Sequence, residues 1–452
     1  MVHAFSFAEQ VKHYFLWDVE SGSLHKVDYL TFLCAKDRYD LLLAAKESEF
    51  LASKQGKQVV ERNKEFSQAE AEGILNTPCA TSEFVREHKY IKALCLHICH
   101  DCNMSCEYCF ASGGDYNCAK DYMSIDVGKA AVDFLIANSG NRRNLEIDFF
   151  GGEPLLNMSS VKAIVDYAKL RAKEHGKAFY FTMTTNCILL NKENAAYLNS
   201  EMDNVVLSID GRQQTHDNIR HMLSGKASYD KVVRNALAFK DIRGQKSYFA
   251  RGTFTRQNLD FSKDIMHLID LGFNSVSVEP VVLPSNHPLA IQADDLPAIY
   301  KEYEKLARQL LQRARSGEDI TFFHFMIDLE KGPCFNKRMT GCGAGCEYLA
   351  ISPQGDIYPC HQFVGTKYKM GNVFAGMQNP EIAQSFAHNT LCHKPTCRVC
   401  PAKYYCGGGC AANAYNFTGS ICGIYEIGCE MHKKRLELAL ALYALKKEYL
   451  SA

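Results

Sequence analysis

The segment Cys102-Asn103-Met104-Ser105-Cys106-Glu107-Tyr108-Cys109 is the most informative stretch of this chain. It directly follows IKALCLHI (residues 91–98), an apolar run with the composition of a buried strand. Three thiolates so close in sequence can hold one small inorganic cluster, and most protein-bound cubanes use four cysteines. Three ligands would leave one iron open, so the segment predicts a cluster that can bind an exogenous molecule.

The regions after this segment predict the fold. Helix-like stretches separate further apolar runs, which are LEIDFFGG (145–152), AFYFTMTTN (178–186), NVVLSIDG (204–211), SYFARGTF (247–254) and SVSVEPVV (275–282). Apolar strands that alternate with helices are typical of a parallel sheet covered by helices. Together with residues 91–98 they make six units, too few for a complete eight-stranded barrel. We therefore predict an α/β fold with a partial (β/α)6 barrel, whose ligands gather at the carboxyl ends of the strands.

The chain divides into three regions, 1–82, 83–315 and 316–452. In the first, alternating apolar positions around Glu20-Ser21-Gly22 predict a β-hairpin, and Ala69-Glu70-Ala71-Glu72 indicates a later helix. The third is rich in cysteine and glycine and ends in a helix-like tail. Because such a region buries little apolar surface by itself, we expect bound metal to supply much of its order.

The composition of the chain argues against some classes of function. The chain has 452 residues, with Lys plus Arg equal to Asp plus Glu at 51 each, which gives no case for nucleic-acid or membrane binding through bulk charge. Its first residues lack the pattern of a signal peptide, and no apolar stretch could span a bilayer, so we expect a cytoplasmic location. Disulfides do not persist in a reducing cytosol, so the twenty cysteines favour metal binding.

Polar motifs follow the predicted strands at the edge where ligands are expected. Gly151-Gly152-Glu153-Pro154 follows the second strand, where glycines allow close backbone approach and a carboxylate can hold an ammonium group. The third strand ends in Thr184-Thr185-Asn186, whose side chains suit ribose hydroxyls. Ser208-Ile209-Asp210-Gly211 ends the fourth strand, and Arg220 follows it. Each motif is weak alone, but their joint occurrence predicts a cofactor site.

The spacing of the first three cysteines, with Tyr108 before the last, resembles the signature of the radical S-adenosylmethionine superfamily. The resemblance implies that the open iron of a [4Fe-4S] cluster binds S-adenosylmethionine, which one electron cleaves to a 5′-deoxyadenosyl radical. It also implies a role for the glycine–glycine–glutamate segment in binding the methionine amino group. The residues implied near the cofactor are Tyr108, Gly151, Gly152, Glu153, Thr184, Asn186, Ser208, Asp210 and Arg220.

The sequence offers two alternatives to this cluster. Cys95, Cys99 and Cys102 have the same spacing, but the first two fall in or beside the apolar strand and Asp101 replaces the aromatic residue. We therefore favour Cys102, Cys106 and Cys109 as ligands. A structural zinc site would favour four ligands and would not account for the companion motifs.

A second cysteine pattern lies in the third region. Cys397-Arg398-Val399-Cys400 is followed by Cys406 and Cys410, and preceded by Cys342, Cys346, Gly355 and Cys360. The pattern resembles the SPASM extension of radical enzymes that act on peptides and proteins. The resemblance implies two auxiliary clusters and three [4Fe-4S] clusters in total. The implied ligands are Cys397, Cys400, Cys406 and Cys429 for the second auxiliary cluster, and Cys346, Cys360 and Cys410, with Cys342 as the fourth ligand, for the first.

Three assignments stay open at this point. Cys342 and Cys346 can each serve as the upstream ligand, so one can be free. In that case the first auxiliary cluster has an open iron for a substrate thiolate. Cys422 is a rival of Cys429, and Cys118 could reach the active site from its loop.

The stretches LCLHICHDCNMSCEYCFASGGDY (94–116) and MTGCGAGCEYLAISPQGDIYPCHQFVG (339–365) resemble the maturases of six-cysteine SCIFF peptides. Such maturases link a peptide cysteine sulfur to a carbon of an acceptor residue, often threonine. Residues 13–37 look like the winged-helix-like, PqqD-like domain that binds a leader peptide. The implied partners are a cysteine-rich precursor peptide with a leader, and an electron donor such as ferredoxin or flavodoxin.

Other functions remain as alternatives. An anaerobic sulfatase maturase has similar clusters, but its usual catalytic aspartate is replaced here by His361, which follows Cys360. A carbon–carbon cross-linking enzyme of the PqqE type is also possible, because cluster ligands do not encode the bond formed. A non-catalytic iron–sulfur scaffold or regulator would not need the open cluster site.

Overall fold

The computed structural model describes residues 1–36, 53–76, 83–87 and 89–451. The chain begins with a three-stranded antiparallel sheet, whose hairpin lies at Glu20-Ser21-Gly22 as expected. Two helices follow in the described part of this region, and the second contains the predicted Ala69–Ala71 segment. The elements are β1 (Val2–Ala8), β2 (Lys12–Asp18), β3 (Ser23–Val27), α1 (Tyr29–Lys36) and α2 (Lys54–Ala71). The last residue of the PqqD-like stretch, Asp37, lies outside the described residues.

Most of the remaining chain is built on one sheet of eleven strands. Its parallel part contains the six predicted strands, which confirms the partial barrel. These strands are β4 (Ala93–Cys99), β6 (Asn144–Gly151), β7 (Ala178–Thr185), β8 (Asn204–Ser208), β10 (Tyr248–Phe254) and β11 (Ser275–Pro280). A two-residue strand, β12 (Thr321–Phe322), continues it beside β11.

Helices cover the outside of the parallel strands, as right-handed crossovers require. Every residue of β4 is buried, and Leu145, Ile147 and Phe149 of β6 face the same core. The helices are α3 (Ile125–Ala137), α4 (Met158–His175), α5 (Lys192–Glu201), α6 (Gln213–Ile219), α7 (Tyr229–Arg243), α8 (Ser262–Asp270) and α9 (Leu296–Arg315). A separate ribbon pairs β5 (Met104–Cys106) with β9 (Arg220–Met222).

The cysteine-rich region adds strands to the other edge of this sheet. Strand β13 (Tyr348–Ile351) pairs in parallel with β4, and three antiparallel strands continue from it. These are β14 (Asp356–Tyr358), β15 (Gly371–Asn372) and β16 (Gly376–Met377). The sheet therefore runs across the boundary drawn at residue 315, because β12 and β13 both belong to it. Strands of two to four residues carry too little periodicity to be read from sequence.

Short helices fill the rest of the third region, and one long helix closes the chain. They are α10 (Phe335–Thr340), α11 (Pro380–His388), α12 (Pro395–Arg398), α13 (Lys403–Cys406), α14 (Ala411–Thr418) and α15 (Glu426–Ser451). Helix α15 joins the N-terminal sheet through the His3–Glu437 pair at 2.8 Å, and helix α9 through Lys434–Glu304 at 2.6 Å. The three regions thus pack against one another. Among the described helices, none is both long and apolar enough to cross a membrane.

The buried guanidinium of Arg243 ties the end of α7 to the barrel. It donates to the carbonyl oxygens of Ser247 at 2.8 Å and Asp203 at 2.8 Å. We expect Arg243→Met to lower the free energy of unfolding by about 2 kcal/mol, because it removes the hydrogen bonds that a buried, charged guanidinium makes between α7 and the barrel. Urea unfolding followed by circular dichroism measures this. Arg234→Met, on an exposed position of the same helix, is the control, and an equal loss in both variants would contradict the prediction.

Candidate functional site

The segment with the first three cysteines folds over the carboxyl ends of the parallel strands. Pairing of β5 with β9 sets Cys106 opposite Arg220, and the Glu107 amide donates to the Ile219 carbonyl at 3.0 Å. Cys102 lies within electrostatic reach of both Cys106 and Cys109, so the structure brings these three thiols together. Burial raises the pKa of the Cys102 thiol to about 12, so a metal that binds the thiolate must offset this cost.

The rival cysteines have different surroundings. Cys95 and Cys99 are fully buried in β4. The Cys99 thiol lies 3.1 Å from the Glu153 carbonyl oxygen and 3.3 Å from that of Asp101. Both thiols are therefore part of the strand core rather than of the segment that covers the strand ends.

Two glycines let this segment approach the end of β6. A Cβ atom at Gly152 would lie 1.9 Å from the carbonyl oxygen of Asp101, and one at Gly151 would lie 2.3 Å from that of Cys99. The Gly152 amide donates to the Cys99 carbonyl at 2.9 Å, and the Glu153 amide donates to that of Asp101 at 2.9 Å. The glycines are thus needed for backbone contact between β6 and the residues before Cys102.

Glu153 braces two strand ends. Its carboxylate is 1% exposed and accepts hydrogen bonds from the Thr185 hydroxyl at 2.8 Å, the Asn186 amide at 2.7 Å and the Leu155 amide at 3.1 Å. Burial raises the pKa of Glu153 to about 7, although these bonds oppose the shift. The carboxylate therefore positions the backbone around it, and its contact with an ammonium group stays a prediction.

The three residues at the end of β7 have different contacts in the site. The Asn186 side chain turns to the cysteine segment, with Nδ2 at 2.7 Å from Asn103 Oδ1 and 3.7 Å from Cys102 Sγ. Thr184 is half-buried, whereas Thr185 holds Glu153. Sequence analysis included Thr185 and Asn103 in its motifs but missed these contacts, because the partners Glu153 and Asn186 lie on other segments.

Tyr108, Asp210 and Arg220 form one buried polar group beside Cys106. The Tyr108 hydroxyl donates to both carboxylate oxygens of Asp210 at 2.8 Å and lies 2.7 Å from Arg220 Nη1. Burial raises the pKa of Asp210 to about 6 against the effect of Arg220. Ser208 is half-buried at the end of β8, just before this group.

The Arg220 guanidinium has one N–H donor without a partner. Its Nε atom is buried and has no hydrogen-bond partner among the described residues. A buried, unpaired N–H group calls for an acceptor. The carboxylate of S-adenosylmethionine would supply one, so the polar group fits the cofactor that the sequence predicted.

A cavity of about 930 Å³ lies between the barrel edge and the cysteine-rich region. Seven of the eight cysteines predicted as auxiliary ligands line it, namely Cys342, Cys360, Cys397, Cys400, Cys406, Cys410 and Cys429. Cys346 does not line it, although it packs in the same apolar cluster as Cys360, with Phe363 and Phe386.

The lining thiols fall into two groups. Cys360 interacts electrostatically with Cys342 and Cys410. Cys429 interacts with the other three cysteines, which are Cys397, Cys400 and Cys406. Cys346 interacts electrostatically with Cys342, so the two groups contain the same cysteines as the two predicted ligand sets.

Cys422 and Cys118, the two other cysteines that the sequence singles out, lie outside these groups. Cys422 is exposed. It interacts electrostatically with Tyr368, which belongs to neither thiol group. Cys118 is exposed beside Gly365. Neither thiol lines the cavity.

The donor atoms fit iron–sulfur clusters. No described cysteine forms a disulfide. Within the described ranges, no three His, Cys, Asp or Glu side chains are arranged to bind one metal ion. Each group offers thiols alone, which is the ligand chemistry of iron–sulfur clusters, whose irons are held by separate cysteines.

Sequence analysis missed an ionic group on the cavity wall. Glu279, at the end of β11, lies 3.1 Å from His324 Nε2 and 3.3 Å from Arg251, and Arg435 lies 2.9 Å from the other nitrogen of His324. Burial would raise the pKa of Glu279, but His324 and the arginines hold it well below its usual value. The members come from distant segments, so no local pattern could reveal them.

Two known families match parts of the chain. Residues 92–234 match the family described as "4Fe-4S single cluster domain". Residues 342–401 match the SPASM family, described as "Iron-sulfur cluster-binding domain". Both matches coincide with the cysteine groups above.

Whole-chain comparisons agree with the fold. A cysteine-type anaerobic sulfatase-maturating enzyme from Clostridium novyi is 24% identical over 69% of this chain and 86% of its own length. A solved structure of native anSMEcpe with bound AdoMet and Cp18Cys peptide has a TM-score of 0.65 at 19% identity, covering 79% and 99% of the two chains. Streptococcus suis SuiB bound to precursor peptide SuiA has a TM-score of 0.53 at 15% identity, covering 94% and 100%. The predicted fold class, with its cysteine-rich C-terminal domain, is confirmed.

The contact at Gly152 yields a test of the first site. We expect Gly152→Ala to displace the residues before Cys102, since its Cβ would overlap the Asp101 carbonyl, and so to remove one cluster's iron from the reconstituted chain. Iron and sulfide analysis measures the loss. Gly176→Asn is the control, because Gly176 is a left-handed helix cap with open space around it and asparagine tolerates that conformation. Full iron in Gly152→Ala would refute the prediction.

Proposed function

Because the chain is a radical S-adenosylmethionine protein with a SPASM domain, we propose that it installs thioether cross-links in a ribosomally made, cysteine-rich precursor peptide of the SCIFF type. Each link would join a cysteine sulfur to a carbon of an acceptor residue, with threonine as the expected acceptor. The observation that carries the proposal is one cavity that contains two thiol groups and is also lined by residues of the barrel strands β4, β6 and β11.

The cofactors in this proposal are S-adenosylmethionine and three [4Fe-4S] clusters. Cys102, Cys106 and Cys109 would hold the first cluster and leave one iron for S-adenosylmethionine. The two thiol groups of the cavity would hold the auxiliary clusters. When bound and reduced by one electron, S-adenosylmethionine supplies a radical that can remove hydrogen from a peptide carbon.

The chain's own residues orient this cofactor. Arg220 offers its buried Nε to a carboxylate, while Asp210 and Tyr108 hold the guanidinium in place. Glu153 keeps the ends of β6 and β7 together, so that the Gly151–Gly152 backbone stays beside the cysteine segment. Such preorganised polar groups are the protein's main contribution to cofactor chemistry.

The first auxiliary site supports capture of a substrate thiolate. Cys342, Cys360 and Cys410 line the cavity and Cys346 does not, although the Cys346 thiol interacts electrostatically with Cys342. Three ligands leave one iron for an external thiolate. In this proposal a peptide cysteine binds there, and the cluster accepts the surplus electron when the carbon–sulfur bond forms.

The N-terminal sheet supports a peptide partner. Among the described residues, β3 pairs with β2 alone, so its outer edge can take another strand by β-augmentation. The SuiB complex, whose partner is a precursor peptide, covers 94% of this chain. We propose that a leader segment binds β3, and that ferredoxin or flavodoxin supplies the electron in a cytoplasmic setting.

A sulfatase-maturase function is the second candidate, because the anSMEcpe structure has the higher TM-score, 0.65. The residue after Cys360 argues against it. His361 lies among the rings of Phe110 and Phe150, and burial lowers its pKa to about 4, so it offers a neutral imidazole where those enzymes have a carboxylate. PqqE-type carbon–carbon coupling differs in leaving the peptide thiols free.

The central test uses the anaerobically reconstituted enzyme, S-adenosylmethionine, a reductant and a cysteine-rich precursor peptide. We expect each link to remove two hydrogens from the peptide mass and one thiol from iodoacetamide labelling. Mass loss with all thiols still labelled would favour carbon–carbon coupling. Modification of a sulfatase peptide alone would favour the second candidate. Absence of 5′-deoxyadenosine would favour the alternative that the chain is a non-catalytic iron–sulfur scaffold.

Ligand variants separate the steps. We expect Cys102→Ala, Cys106→Ala and Cys109→Ala together to abolish 5′-deoxyadenosine, since no open cluster forms. Cys400→Ala should leave some cofactor cleavage but stop cross-linking, and both products are measured by liquid chromatography and mass spectrometry. Cys334→Ala, at an exposed position outside every thiol group, is the matched control. Cross-linking that survives in Cys400→Ala would contradict the auxiliary role.

The leader role has its own measurement. We expect removal of the leader to raise KM for the precursor at least tenfold with a smaller change in kcat, because the leader contributes binding away from the reacting atoms. A leader of scrambled sequence is the control. Equal KM values with and without the leader would remove the proposed role of β3.

A further inference from the structure

The tip of the N-terminal hairpin contacts the cysteine-rich region through one acidic side chain. Glu20 forms an ion pair with Lys403, and its other carboxylate oxygen accepts a hydrogen bond from the Tyr404 hydroxyl at 2.6 Å. Both charged side chains are buried, with 7% of Glu20 and 3% of Lys403 exposed. We call these three residues the hairpin clasp.

The hairpin holds Glu20 in a defined position. The Glu20 amide donates to Asp18 Oδ1 at 3.3 Å, and the Gly22 amide donates to the Asp18 carbonyl at 2.8 Å. Gly22 has φ +75°, which closes the tight turn. Behind the turn, the buried ring of Trp17 lies 6.1 Å from that of Tyr405. The clasp is therefore anchored on its N-terminal side by packed residues.

On its other side the clasp holds the segment that carries the second group of thiols. Lys403 begins α13 between Cys400 and Cys406, and its amide donates to the Cys400 carbonyl at 3.2 Å. The Lys403 ammonium also donates to the Arg398 carbonyl at 3.2 Å. Lys403 lines the same cavity as the four thiols of the second group. The clasp thus keeps a cation at the wall of the proposed cluster site.

Stability alone does not account for this pair. Burial removes hydration from both charges, and apolar replacements of a buried ion pair are often equally stable. A fixed charge has a second effect at this place. Reduction of an iron–sulfur cluster adds negative charge, so a nearby cation favours the reduced cluster and a nearby anion opposes it.

We propose that Glu20 is a positioning residue for the second auxiliary cluster, because it fixes the Lys403 ammonium beside the cluster and offsets its charge. The N-terminal sheet thereby helps to set the reduction potential of a cluster whose ligands lie almost 400 residues further along the chain. The inference rests on the proposed function in one respect, which is that the second thiol group holds a cluster. It also gives a peptide on β3 a physical route to that cluster, since β3 begins directly after the clasp hairpin.

The test measures the potential of the second auxiliary cluster by electron paramagnetic resonance during redox titration. The full chain carries Cys102→Ala, Cys106→Ala and Cys109→Ala to remove the first cluster's signal, and a further Cys397→Ala chain identifies the second auxiliary signal. We expect Glu20→Gln to shift the potential to more positive values and Lys403→Met to shift it to more negative values. Opposite shifts follow from opposite charges, whereas a merely structural role would move both variants alike.

Three further variants serve as controls for this measurement. Glu20→Gln with Lys403→Arg retains a protonated cation, so its shift should match that of Glu20→Gln. Glu20→Gln with Lys403→Met removes both charges, folds without an unpaired buried ion, and should have a potential between the single variants. Glu448→Gln breaks the exposed Lys26–Glu448 pair of the same sheet and should leave the potential unchanged.

Trp17 provides an independent check, since the chain contains a single tryptophan. Its emission should be unchanged in Glu20→Gln if the hairpin stays docked beside Tyr405. Iron content distinguishes failure of the proposed function from failure of the proposed role of Glu20. Absence of auxiliary iron in the starting chain would remove the proposed function itself. Intact iron with no shift, or with shifts of the same sign in Glu20→Gln and Lys403→Met, would overturn the role of Glu20 alone.

Discussion

The contact between the Gly152 backbone and the Asp101 carbonyl is the constraint on which the site depends. No side chain fits there, because a Cβ atom would lie 1.9 Å from the carbonyl oxygen. The contact joins the end of β6 to the residues before Cys102, so it sets the height of the cysteine segment over the sheet. From there the β5–β9 ribbon carries Cys106 to Arg220.

The buried carboxyl groups around this contact have similar surroundings. Glu153 and Asp210 both lie in apolar surroundings that raise their pKa values, and each is held by donors from a neighbouring strand. Such groups are costly to bury and stay in place only when every partner is present. Their role is therefore to fix geometry, which a site that must align a cofactor with a peptide requires.

The cysteine-rich region is joined to the rest of the chain in two ways. Strand β13 extends the barrel sheet from β4, and the hairpin clasp connects α13 to the N-terminal sheet. The two thiol groups thus lie in a region that is connected to the barrel sheet by backbone pairing and to the N-terminal sheet by a buried ion pair.

The sequence by itself determined what is local. The six barrel strands could be predicted because each is an apolar run bounded by helix-like segments, and the approach of Cys102 to Cys106 and Cys109 because the three thiols are close in sequence. Only the tertiary structure separated Cys346 from the cavity, showed Thr185 as the partner of Glu153, and brought Glu20 to Lys403. The physical reason is distance along the chain. Spacing records which groups can meet within one turn or strand end, whereas contacts between remote segments depend on how whole elements pack, and that packing leaves no short pattern to read.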